Sequence, residues 1–176
     1  MASALQTVRR LLDGLYALAG AVAALSLLAI LGIIVAQMVA RWIGAVIPGA
    51  TNYAGYCMAS GSFFALAYAL NHGAHIRVSL LLSRLGRFSR YGEIWCYAVA
   101  AVTATLFARY ALKATYWSEF LGDVSQGQDA TPIWLPQIAM SIGTVLLAIA
   151  LWDHLIRLIF TDHPGVQVPE IGEARD

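Results

Sequence analysis

The chain has 176 residues, of which 60% are hydrophobic and only 12% charged, with a net charge of +1. A soluble domain carries roughly twice that charge fraction, so the composition excludes an ordinary water-soluble globule and points to lipid as the solvent. Two cysteines, Cys57 and Cys96, lie inside apolar runs. They lack the spacing of a disulfide framework or a metal site and read as small buried hydrophobes.

Four segments are long and apolar enough to span a bilayer, which takes ~20 residues. They run over about 11–40, 52–70, 94–116 and 133–160. Lipid leaves no partner for an unpaired backbone group, so apolar spans of this length are read as helices. The first follows Arg9 and Arg10, as a signal peptide would. Its apolar run far exceeds the ~7–15 residues of a signal core, so it is read as an uncleaved anchor. The second span leads into HIRVSLLLSRLGRFSR, residues 75–90, which is too charged to cross. On a helical wheel Val78, Leu81, Leu82, Leu85 and Phe88 share one arc and most of the arginines take the other. That pattern predicts an amphipathic helix lying in the membrane interface. Between the third and fourth spans, EFLGDVSQGQDATP reads as an irregular loop. Pro132 and Pro136 suit the first turn of the fourth helix, where a missing amide donor costs little. Residues 1–162 thus form a single four-helix membrane domain, and 163–176 a flexible tail.

Charge sets the orientation. Arg9, Arg10, Arg77, Arg84, Arg87, Arg90, Arg157 and Arg175 fall on one side if the helices alternate. Arg41 and Lys113 fall on the other, with Arg109 in the adjacent half of the third helix. The positive-inside rule places the rich side, and both termini, in the cytoplasm. Trp42, Tyr53, Tyr91, Trp95, Tyr116, Trp117, Trp134 and Trp152 lie near predicted helix ends, where amphipathic rings mark the interfaces.

A pump or conduit needs polar groups near the midplane. Here Asp13, Glu93, Arg109, Lys113, Asp153 and Arg157 fall toward helix ends, within reach of snorkelling, and no span has a proline in its middle. No broken helix or repeated half suggests a substrate site. The bundle is therefore read as one that does not carry a transport path alone, and no enzymatic role or cofactor is expected. His72, His75 and His154 lie near one membrane level, so axial haem ligation in a cytochrome b-type subunit is one rival reading. A small homo-oligomeric drug exporter is another, although the first helix lacks a mid-membrane carboxylate. Small residues recur every fourth position in the second helix (Cys57, Gly61, Ala65, Ala69, Gly73) and, interrupted by Leu28, in the first (Gly20, Ala24, Gly32, Ala36, Ala40). Such ladders let membrane helices approach closely.

The chain resembles the DctQ-like small membrane subunit of tripartite ATP-independent periplasmic (TRAP) transporters over about residues 11–160. The resemblance is carried by GSFFALAYALNHGAHIRVSLL, a small-residue helix running into the motif His75, Ile76, Arg77, Val78, and by TPIWLPQIAMSIGTVLLAI in the fourth helix. Ser79 stands where the family commonly has an acidic residue, and ATNYAGYC lacks its usual Trp and Glu. The resemblance implies a scaffold subunit of a secondary, sodium-driven uptake system in the bacterial inner membrane. It would brace a large (M-type) membrane subunit and assist docking of a periplasmic substrate-binding protein. On that footing Gly61, Ala65 and Ala69 are expected to pack on the large subunit. His75, Arg77, Arg84 and Arg87 are expected to meet phospholipid headgroups, and Arg41, Glu119 and Asp123 to face the binding protein. Nucleic acid is not among the expected partners.

Overall fold

A computed structural model describes residues 2–71, 89–127 and 129–160, with side chains from residue 9 onward except at 89. The described chain is all-helical: α1 (Ala2–Trp42), α2 (Ala50–Asn71), α3 (Ser89–Leu121) and α4 (Trp134–Phe160). Three of these hold stretches long and apolar enough to cross a membrane, Arg9–Trp42, Arg90–Leu121 and Trp134–Phe160. The 22-residue α2 has the length, but its tyrosines, serines, glycines and asparagine dilute its hydropathy. The anticipated in-plane helix over 75–90 and the tail over 163–176 lie outside the described residues, apart from 89 and 90 at the start of α3.

Two helices end on the same device. Gly44 (φ 74°) follows α1 and Gly122 (φ 68°) follows α3, both in the left-handed region. Ala45 N donates to Ala40 O at 2.8 Å, and Gly44 N to Arg41 O at 3.2 Å. In α3, Asp123 N donates to Ser118 O at 3.0 Å, and Gly122 N to Glu119 O at 3.2 Å. This paired closure satisfies the last carbonyls and turns the chain sharply, which glycine allows without a Cβ penalty. Both reversals lie at one end of the bundle, called here the loop end. Pro136 sits in the first turn of α4 as anticipated. Pro132 lies just outside, paired across a short bridge with Val124.

The helices pack in the spatial order α1–α2–α4–α3. The central α4 buries Ser141, Gly143, Thr144, Leu146, Ala148, Ala150 and Leu151, while α1 and α3 expose most of their large apolar side chains. On a helix in water that exposure would be an aggregation hazard; facing lipid it is the expected state.

Backbone proximity depends on small residues. A Cβ on Gly143 would lie 2.7 Å from Phe63 Cβ and 2.9 Å from the Phe63 carbonyl carbon, so α2 and α4 touch there almost backbone to backbone. Gly61 faces α1, where a Cβ would lie 3.0 Å from Ser26 Cβ. On α3 the buried residues Ala101, Ala104, Ala108, Thr115 and Ser118 recur at intervals of three and four or their sum. They form a narrow seam of the kind that draws membrane helices together. Within it the hydroxyls of Thr115 and Ser141 hydrogen-bond at 2.9 Å, and Thr144 Oγ1 donates to Ser141 O at 2.8 Å. These three hydroxyls are thus satisfied inside the bundle, whereas the wholly buried Tyr16 hydroxyl of α1 has no hydrogen-bond partner among the described residues. Midway along α3, Thr105 Oγ1 accepts from Trp152 Nε1 at 3.0 Å, tying α4 to α3.

Candidate functional site

At the loop end the segment between α3 and α4 holds no helix or strand among the described residues, as the sequence suggests, but backbone hydrogen bonds tie it together. Ser125 N donates to Thr131 O at 2.8 Å and Ile133 N to Asp123 O at 3.0 Å, around the Val124–Pro132 bridge. The folded segment is held down by Asp129. Asn52 Nδ2 donates to Asp129 Oδ1 at 2.6 Å, and the Tyr56 hydroxyl to Oδ2 at 3.1 Å. Asn52 and Tyr56 stand four apart on α2 and so project from one face. The edge-to-face contact of Tyr53 with Tyr56, ring centroids 6.1 Å apart, steadies the pair.

The fit is close on both sides. Gly49 (φ 74°) opens α2, and a Cβ there would lie 2.7 Å from Asp129 Cβ. Glycine is therefore required twice, by its conformation and by the carboxylate's approach. Ala130, next to the clamp, has φ 45°, a region that alanine seldom occupies. It is held there because Asp129 on one side and the Thr131 carbonyl bond on the other leave little choice.

Hydrogen bonds set the acidity of the clamp. The Thr131 side chain contributes most, followed by Asn52, the Asp129 backbone and Tyr56, and together they hold the half-buried Asp129 carboxyl down at about 2 against an ordinary 3.8. Because the folded value is the lower one, the carboxylate's contribution to loop docking is fully present above pH 3.8 and lost as pH falls through about 2. Amide exchange in the loop, corrected for its intrinsic rate, is therefore expected to rise across that window. Asn52→Ala should move the rise to higher pH; an unmoved rise would count against the clamp.

The anticipated docking residues Arg41, Glu119 and Asp123 all lie at this end and are all exposed. They are not brought into a cluster: no ion pair joins them among the described residues. Gly61 is buried against Ser26 of α1, whereas Ala65 and Ala69 of the same stripe are half-buried. His75, Arg77, Arg84 and Arg87 lie outside the described residues. Sequence reasoning missed the role of Asp129, taking it as one more loop acid. Its partner Asn52 is 77 residues away, so no local spacing announces the pair. The faint signal is a polar Asn one turn into an otherwise apolar helix, after a glycine.

The opposite end carries a second polar group. Asp153 Oδ1 accepts from Arg157 Nε at 3.1 Å, one turn apart on α4. Buried His154 stacks on Tyr97 of α3 with ring centroids 6.1 Å apart and planes at 17°. Tyr16 of α1 is wholly buried in the adjoining core. These contacts join three helices, and the Asp153–Arg157 pair carries its own countercharge.

No curated protein matches the chain. Residues 30–161, from the second half of α1 to the end of α4, match the model of a family described as tripartite ATP-independent periplasmic transporters, DctQ component.

Proposed function

Since the chain belongs to the DctQ-component family of tripartite ATP-independent periplasmic transporters, a family of membrane transport components, we propose that it is the small scaffold subunit of a sodium-driven solute uptake system. In this reading it braces the large membrane subunit and helps dock the periplasmic binding protein; none of its residues is catalytic. The observation that carries the reading is the sealing of the three buried hydroxyls at the α3–α4 seam, Thr115, Ser141 and Thr144, on one another and on backbone carbonyls. A conduit keeps such groups open to its cargo; a brace closes them.

The topology follows from the same reading. All four helices cross the inner membrane, with both termini cytoplasmic and the loop end periplasmic. The more polar α2 serves as a span because it lies between α1 and α4, and its hydroxyls are returned to its own carbonyls. Ser60 donates to Tyr56 O and Ser62 to Met58 O, each at 2.8 Å. The basic connector over 75–90 lies in the cytoplasmic interface as an amphipathic helix, with His75, Arg77, Arg84 and Arg87 at the headgroups. The clamped α3–α4 loop, with Glu119 and Asp123 beside it and Arg41 at the end of α1, forms the surface offered to the binding protein. Ala65 and Ala69, half-buried on α2, remain available to the large subunit.

The test is deletion of this chain in its native host. Sodium-dependent uptake of the solute that co-purifies with the system's binding protein should be lost, while the isolated binding protein keeps its affinity. Uptake sustained by the large subunit alone would refute the proposal.

A further inference from the structure

Arg109 and Lys113 stand one turn apart on α3, and both are exposed. They lie on the face away from the Ala101–Ser118 seam that packs on α4. Around them Leu106, Tyr110 and Leu112 are also exposed, at 51%, 67% and 52%. The five side chains line a shallow open groove of about 400 Å³.

Their depth makes this placement unusual. Exposed Trp95 and Tyr116 mark the two interfacial ends of α3, and their separation of 21 positions rises ~32 Å at 1.5 Å per residue, close to one hydrocarbon thickness. Arg109 precedes Tyr116 by seven residues and so lies ~10 Å inside the nearer belt. The sequence alone suggests that both cations snorkel from a helix end near Tyr116. The helix in fact continues to Leu121, so neither cation stands at a free helix end. Side chains also leave a helix tilted toward its N-terminus, here the Ser89 end, so both cations set out toward the midplane and away from the nearer headgroups.

Among the described residues no carboxylate pairs with either cation; the one ion pair described is Asp153–Arg157. A cation at this depth requires a countercharge. We propose that the Arg109–Lys113 face of α3 is a docking surface for a transmembrane helix of the large subunit that presents a carboxylate at the same depth. The inference rests on the subunit reading above and extends it to a particular face and chemistry. Headgroup phosphate is the weaker occupant, because to meet Arg109 it would have to descend ~10 Å into hydrocarbon, although Lys113 lies only ~4.5 Å inside the belt.

A membrane-soluble carbodiimide, applied to the complex in native membranes, joins an amine to a carboxylate in contact with it. It should couple Lys113 Nζ to an acidic residue of the large subunit. Lys113→Arg keeps the charge and the complex but removes the cross-link. Arg109→Leu with Lys113→Leu should cut recovery of the large subunit at least tenfold, while Arg109→Lys with Lys113→Arg restores it. Four results would overturn the inference: a cross-link that survives Lys113→Arg, a cross-link between two copies of this chain, undiminished recovery with the double leucine variant, or loss from that variant of bound anionic phospholipid alone. If the wild-type chain recovers no large subunit, the subunit reading fails first and this inference with it.

Discussion

Gly143→Leu is expected to separate α2 from α4 and to lower the unfolding midpoint of the detergent-solubilised protein sharply. The cause is local. The Cβ alone would fall 2.7 Å from Phe63 Cβ and 2.9 Å from a backbone carbon. A side chain can rotate out of such an overlap, but a helix backbone cannot. Overpacking in a close-packed interior typically costs ~1–3 kcal/mol, and more where the neighbour cannot yield. The two helices concerned form the middle of the α1–α2–α4–α3 row, so pushing them apart loosens both halves. The internal control is Gly32→Leu on the outer helix, where an added Cβ meets nothing within 4 Å. That variant should unfold at the wild-type midpoint or above it. Equal midpoints for Gly143→Leu and wild type would show that the α2–α4 contact is not close.

The second large effect is expected at the loop end. Asp129→Ala removes the acceptor for both Asn52 Nδ2 and the Tyr56 hydroxyl and leaves Ala130 in an unfavourable conformation held from one side only, by the Thr131 carbonyl bond. The loop between α3 and α4 should lose its exchange protection at Ser125 and Ile133, while protection within the helices stays unchanged. Gly49→Ala should have the same effect from the other side, since its Cβ would fall 2.7 Å from Asp129 Cβ and push that residue off α2. If this loop is what the binding protein meets, both variants should weaken docking of the binding protein without reducing the amount of assembled membrane complex. Docking at wild-type strength with an unprotected loop would remove the loop from the proposed surface.

The helical architecture was legible because lipid imposes long, continuous apolar runs that soluble folds rarely contain. The ends were less so. Sequence reading stops α3 at about Tyr116, where aromatics accumulate. The helix continues to Leu121, and its actual stop is the paired closure on Gly122, a backbone feature with little hydropathy signal. That difference matters, because with those five residues neither Arg109 nor Lys113 stands at a helix end. The small-residue ladders of α1 and α2 were visible, but the tightest seam, Ala101 to Ser118 on α3, follows intervals of three and four and is hidden in an alanine-rich sequence. The Asp129 clamp left only a faint trace in the sequence, because its α2 partners Asn52 and Tyr56 are distant in the chain and neither is charged. Family resemblance was legible in the small-residue helix, the His75–Val78 motif and the fourth span. The matched region begins at residue 30, later than the resemblance suggests, so the first half of α1 lies outside it.

The most direct test of the scaffold reading is the composition of the particle that contains this chain in its own membrane. The chain, tagged at its C-terminus and extracted in mild detergent, is weighed by native mass spectrometry. The expected result is a constant ratio of this chain to one larger multi-span membrane protein, preserved when Gly32 is replaced and lost when Arg109 and Lys113 are both replaced by leucine. A particle composed of this chain alone, whether monomer or symmetric oligomer, would contradict the account.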